Sequence, residues 1–282
     1  MTIVNAIEVT GLVRRYGEYT AVDHFDLAVA TGECVAMLGP NGAGKTTTVE
    51  ILEGYRHRDD GRVSVLGEDP AHADRAWRQR IGIVLQSTDD LLDVTVTEAL
   101  EHFARFYEHP RAVADVIALV GLTEKADQRA GHLSGGQRRR LDVALGVVGN
   151  PEVLFLDEPT TGFDPEARRV FWQLIERLKG EGVTILLTTH YLEEADALAD
   201  RVVVITRGKK VADTTPADLG SRNEGRIVVR WREGETLREE VTATPAALVA
   251  TLSARFGGEI PGLEVLRPTL EEAYLELVDA AS

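Results

Sequence analysis

The chain has 282 residues, enough for one large domain with an appendage or for two modest ones. Apolar residues make up 44% and charged residues 27%, with 26 Gly and 10 Pro, which is ordinary globular usage and excludes collagen-like and low-complexity classes. Lys and Arg number 31 against 46 Asp and Glu, a formal charge of -15 that repels phosphate backbones at long range, so no nucleic-acid partner is expected.

Short β-branched or apolar runs end at glycine-rich or polar turns and alternate with longer segments of helical spacing, the pattern of an α/β fold. Residues 33–38 read as a strand running into a glycine loop, and 45–55 as the following helix with Val49 and Leu52 inward. Cys34, the single cysteine, has no disulfide partner and reads as a small core residue, which suits a reducing, cytosolic setting. The apolar run 81–85 predicts another strand. From about 95 to 150 the spacing becomes mostly helical, with helices at 98–107, 112–120 and 138–148, the last stopped by Gly149-Asn150-Pro151. Around that helix Arg138, Arg139 and Arg140 diverge, so a solvated face is expected. Runs 153–156, 183–189 and 202–206 do not alternate with polar residues and predict buried central strands of one sheet. Between the first two, Asp164-Pro165 opens a helix, with Asp as cap and Pro in the first turn.

After about Thr214 the texture changes to a polar stretch, a strand at 226–232, an apolar repeat of Leu248, Leu252 and Phe256, and a capping box of Thr269 with Glu272. Domains are therefore expected at 1–215, with a helical insert at about 95–150, and at 216–282 as a small α/β unit. The N-terminal stretch lacks the basic start and apolar core of a secretory signal, and no apolar run reaches the roughly 18 residues of a membrane helix. Any membrane role is expected to be peripheral.

The chemistry concentrates at strand ends. Gly39-Pro40-Asn41-Gly42-Ala43-Gly44-Lys45-Thr46 fits G-x-x-x-x-G-K-[ST] between a strand and a helix, as that motif requires. Glycines let backbone N–H groups curl around a phosphate, the helix N-terminus adds positive potential, Lys45 reaches β/γ oxygens and Thr46 offers a hydroxyl to Mg²⁺. A nucleoside triphosphate is the implied ligand. Asp157 and Glu158 follow a buried strand, where ligands of open α/β sheets bind. Adjacent residues of a strand end point to different sides, so Asp157 is placed to serve Mg²⁺ and Glu158 to face a water that attacks the γ-phosphate.

Leu133-Ser134-Gly135-Gly136-Gln137 resembles the signature of ATP-binding cassette (ABC) ATPases, and the resemblance covers about residues 3–215. It implies a P-loop NTPase core in which the glycine loop of one subunit, through Thr47 as well, and the signature of another sandwich ATP. Further matches follow residue by residue. Tyr16 is placed like the aromatic that stacks on adenine. Gln86 resembles the glutamine that touches Mg²⁺ and reports to a membrane partner. Asp164 occupies the position that couples the two subunits, although Phe163 departs from the usual residue before it. His190, after its strand, resembles the switch histidine at the γ-phosphate. The tail around Pro268–Leu277 is similar to that of bacterial drug and antibiotic exporter ATPases of the daunorubicin-resistance type. The resemblance thus implies an ATPase that acts as a dimer with itself or a paralogous subunit, works on a separate transmembrane permease, and sits at the cytoplasmic face of the membrane. A soluble cassette ATPase acting on ribosomes or DNA, and an ATP sensor without turnover, are the competing readings.

Overall fold

The computed structural model describes residues 4–84, 91–221, 227–266 and 270–280. The chain divides into two compact units, Met1–Asp213 and Thr214–Ser282. In the first, β1 (Asn5–Tyr16) and β2 (Tyr19–Ala30) form an antiparallel hairpin, β3 (Cys34–Leu38) leads through the glycine loop to α1 (Lys45–Leu52), and β4 (Asp60–Val65) returns to pair with β1. There follow α2 (Arg75–Arg78), β5 (Ile81–Val84), the helices α3 (Val96–Ala104), α4 (Val113–Leu119) and α5 (Gly135–Val147), then β6 (Val153–Asp157), α6 (Pro165–Gly180), β7 (Thr184–Thr189), α7 (Leu192–Leu198), β8 (Arg201–Thr206) and β9 (Lys209–Thr214).

Two sheets result, one of order β2-β1-β4 and one of order β5-β6-β7-β3-β8-β9. In the second, β5, β6, β7, β3 and β8 run parallel. Every residue of β3 and β7 is buried, because strands covered on both faces have no solvent side on which to place polar groups. The register pairs Leu38 with Thr189 and Asp157 with Thr188, so β3, β6 and β7 end level. Gly39, Glu158 and His190, each just beyond its strand, are therefore delivered to one edge. One apolar core runs from Ile7, Phe25 and Val29 of the antiparallel sheet through Val49 and Leu52 of α1 to Met37, Phe155 and Leu186 of the parallel sheet. Each such side chain contributes roughly 1.5–3 kcal/mol by leaving water. Trp77 is buried there without an unmet polar atom, since its Nε1 donates to the Val65 carbonyl at 2.8 Å.

Three local expectations are corrected. The first helix ends at Leu52 rather than 55, because Gly54 turns into the left-handed region at φ 75°. In the stop after α5 it is Asn150 that takes the left-handed conformation, at φ 56°. Gly149 serves packing instead: a Cβ there would lie 2.3 Å from the Tyr107 ring. Finally, Arg139 is buried rather than solvated. Its guanidinium donates to the carbonyls of Pro159 at 2.9 Å and Asp157 at 3.1 Å and lies 3.6 Å from Asp142, also buried. Arg138 and Arg140 likewise reach carbonyls, those of Ala130 and Gly121.

The second unit comprises α8 (Pro216–Ser221), β10 (Ile227–Glu233), β11 (Thr236–Thr242), α9 (Pro245–Phe256), β12 (Glu264–Leu266) and α10 (Leu270–Ala280). Its antiparallel sheet has the order β11-β10-β12. Val229, Trp231, Leu252 and Ile260 form its own small core, with Leu248 and Phe256 packed against them at four-residue spacing on α9. Thr269, the expected cap before α10, lies outside the described residues. Among the described residues no helix is long and apolar enough to cross a membrane.

Candidate active site

The loop between β3 and α1 is shaped by close backbone approach. A Cβ at Gly39 would lie 2.3 Å from the Ile205 carbonyl oxygen, and Gly44 has φ 105° with the Ala21 carbonyl oxygen 2.4 Å from where its Cβ would be. Only glycine fits either place. Gly44 caps α1 without a side-chain bond, which leaves the first N–H groups of the helix directed into the loop. Inside it, Lys45 is 5% exposed, and its Nζ donates to the carbonyls of Gly39 at 2.7 Å and Pro40 at 3.3 Å. Burial lowers the pKa of this ammonium, while Glu158 and Asp157 oppose the shift.

The carboxylates at the end of β6 divide because the chain turns between them, Asp157 closing the strand and Glu158 lying beyond it. Asp157 accepts from Thr46 Oγ1 at 3.2 Å on one oxygen and from Thr188 Oγ1 on the other. Glu158 turns into the left-handed region at φ 44°, its N–H held 3.1 Å from both the carbonyl and the hydroxyl oxygen of Thr188. That turn carries its side chain out of the strand direction. Glu158 Oε1 lies 3.8 Å from Lys45 Nζ, and Oε2 lies 3.3 Å from Nδ1 of His190. The imidazole itself packs on the Tyr191 ring, with centroids 4.1 Å apart.

A cleft over the loop gathers Asn41, Gly42, Gly44, Lys45, Thr46, Thr47 and Glu158, with Tyr16 and Tyr19 beside them. Gly39, Pro40 and Ala43 complete the loop without lining that cleft. Tyr16 is half-exposed, with the guanidiniums of Arg14 and Arg56 at 4.9 and 5.5 Å from its ring centroid. Tyr19, which the sequence reading passed over, donates its hydroxyl to the Gly42 carbonyl at 2.9 Å. Thr188 was passed over too, hidden as a polar residue within an apolar strand run. Gln86 lies outside the described residues.

The signature residues lie elsewhere. Ser134 caps α5, its hydroxyl accepting from Gln137 N at 3.3 Å while Gln137 Oε1 accepts in turn from Ser134 N at 3.0 Å. Ser134, Gly135, Gly136 and Gln137 line a second cleft with Phe163 and Asp164. Asp164 caps α6 through Ala167 N at 2.7 Å, and Phe163 packs edge-on against buried Phe171. The two clefts share no lining residue.

Among the described residues no group of three or more His, Cys, Asp or Glu is arranged to hold a metal ion. Mg²⁺ does not require one, since it is usually held by one or two protein oxygens together with substrate phosphates. The adjoining hydroxyl of Thr46 and carboxylate of Asp157 are hard oxygen donors of that kind.

A parallel sheet feeding a glycine loop into a helix, with carboxylates at the neighbouring strand end, defines a P-loop NTPase fold. Residues 22–161 match the ABC transporter family. The chain is 40% identical over 299 residues to the Nod factor export ATP-binding protein I of Ralstonia nicotianae, covering 96% of this chain and 93% of that protein. It is 39% identical over 306 residues to the daunorubicin resistance ATP-binding protein DrrA2 of Streptomyces coeruleorubidus, covering 96% and 94%. Among solved structures, cbiO1 from Clostridium perfringens, part of the ABC transporter complex cbiONQ, superposes with a TM-score of 0.71 at 26% identity, covering 78% of this chain and 92% of that one. An ATP-binding subunit of another ABC transporter shares the fold over 98% of this chain and 99% of its own, with a TM-score of 0.72 at 23% identity. The protein belongs to the ABC transporter family as an ATP-hydrolysing, ATP-binding subunit.

Proposed function

We propose that this subunit powers export of a drug, antibiotic or other hydrophobic compound through a separate permease, and that two copies, or one copy and a paralogue, close around two Mg·ATP. The observation that carries the reading is the separation of the two anion-directed clefts. Lys45 and the loop N–H groups face one, and the cap of α5 faces the other, so a phosphate chain bound in the first needs a second subunit to meet a signature. The names of the two curated relatives, concerned with Nod factor export and daunorubicin resistance, support the export direction.

In this reading Lys45 and the N–H groups of residues 39–47 hold the phosphates, and Tyr16 stacks on the base. Thr46, Asp157 and Gln86 would hold Mg²⁺, which would supply charge stabilisation to the phosphates. Glu158 orients the attacking water and takes its proton, with His190 beside it fixing the γ-phosphate. Ser134, Gly135, Gly136 and Gln137 of the opposing subunit cover that phosphate, and Asp164 couples the two sites. The assembly works at the cytoplasmic face of the membrane.

Glu158→Gln tests this. It removes the proton acceptor but leaves the cradle, so ATP hydrolysis falls by at least about 100-fold, the scale of a lost general base, while ATP still binds. The variant with saturating Mg·ATP should shift toward dimer relative to its nucleotide-free state. Retained turnover, or ATP binding without any such shift in the presence of the permease, overturns the proposal.

A further inference from the structure

The sheet of the second unit ends on β11. Residues 236–241 of this strand are exposed, and among the described residues its outer edge pairs with no strand. The register with β10 settles which side each residue takes. Leu237 opposite Arg232, Glu239 opposite Arg230 and Val241 opposite Val228 share one face, and Arg238 and Glu240, opposite Trp231 and Val229, share the other. Leu237 and Val241 are 59% and 58% exposed, large apolar side chains on an unpaired edge. Read from both ends toward Glu239, the strand places Thr236 against Thr242, Leu237 against Val241 and Arg238 against Glu240. Such an order is complementary to an antiparallel copy of itself.

We infer that β11 is a self-association edge, on which two copies of the chain pair their β11 strands about a two-fold axis through Glu239 and join two three-stranded sheets into one of six. A two-fold perpendicular to the sheet keeps each face on its own side, so the axis must pass through a residue position. Moving it to Arg238 sets Leu237 against Glu239; moving it to Glu240 sets Val241 against Glu239. Only the axis at Glu239 aligns apolar with apolar and opposite charges with each other, each twice by symmetry. The remaining contact, Glu239 with its own copy, is eased within each sheet by Arg230, whose Nε lies 3.1 Å from Glu239 Oε2. Charged side chains on an edge strand ordinarily keep other strands away. Here their order turns the same charges into a register.

The association needs no nucleotide, which separates it from the ATP-dependent closure proposed above. The test uses the full chain without nucleotide. Sedimentation should show a concentration-dependent dimer, and Arg238→Glu should raise its dissociation constant about tenfold, because two cross-strand attractions become repulsions. Adding Glu240→Arg to that variant should restore it. Cysteines report the register directly, since Cys34 is buried and does not compete. Glu239→Cys should form an intermolecular disulfide, as directly opposed strand residues can. Leu237→Cys and Val241→Cys should each fail alone, with equivalent positions about 13 Å apart, and should cross-link when mixed. A chain that stays monomeric with no bond at 239, equal cross-linking at all three positions, or a charge swap that fails to restore the dimer would overturn the inference.

Discussion

Thr188 holds both acidic residues at once: its hydroxyl donates to the Asp157 carboxylate, and the Glu158 backbone N–H approaches both its Oγ1 and its carbonyl oxygen. The side chain is fully buried and is a positioning residue, since the proposed chemistry belongs to its neighbours. Thr188→Val preserves shape and removes the hydroxyl. Loss of such a supporting bond typically costs 10- to 100-fold, so kcat should fall by about that factor while ATP affinity, read by a fluorescent analogue, changes little. Glu53, at the C-terminal end of α1, gives a pH signature. Burial, reinforced by Asp157 and then Glu50, pushes its carboxyl up from 4.5 to about 8. Across that window the folded chain holds a proton that the unfolded chain releases, so stability falls as pH rises from about 4.5 to about 8 and levels off above. Glu53→Gln should flatten this slope in urea unfolding without Mg²⁺; an unchanged slope would remove Glu53 as its source.

At the scale of elements, Arg139 ties the signature helix to the strand that ends in the carboxylates. Arg139→Met takes away its bonds to the carbonyls of Asp157 and Pro159 and leaves Asp142 buried without this cation, which should cost about 3–5 kcal/mol of stability by denaturant titration. A combined Arg139→Met and Asp142→Leu should recover part of it. This side chain also shows where sequence reading stops. Period alone told that successive arginines diverge around α5, but not that the end of β6 packs over one of them. The buried strands β3, β6 and β7 were legible because covering both faces removes polar alternation. The glycine loop was legible because a cradle of backbone N–H groups needs contiguous residues, and the pentapeptide at 133–137 because it resembles the signature of ABC ATPases. The N-terminal hairpin was harder, since register shifts at several points along β1 interrupt its alternation with β2. The Thr188 to Asp157 bond was out of reach for a different reason: it joins residues 31 apart through strand register, which no local pattern encodes.

For the molecule as a whole, the two units differ in how much they bury. The first encloses one continuous core across two sheets and α1, whereas in the second Val229, Trp231, Leu252 and Ile260 form a small cluster with a few partly buried neighbours, and Leu219 and Ala273 are buried besides. A segment that short rarely draws more than about 3–5 kcal/mol from a single core. A unit that holds a hydrophobic cluster of its own can open as a cooperative unit of its own. The three tryptophans report on this, because Trp77 and Trp172 belong to the first unit and Trp231 to the second. In a Trp77→Phe/Trp172→Phe chain the remaining fluorescence follows the small core alone, since Trp231 is 6% exposed there and becomes solvated on unfolding. Its urea midpoint should fall below that of the far-ultraviolet circular dichroism transition, which the first unit dominates. It should also rise with protein concentration if β11 pairs two copies, because association stabilises only the folded form. Coincident midpoints at every concentration would mean that the units unfold as one and that the small core draws stability from outside itself.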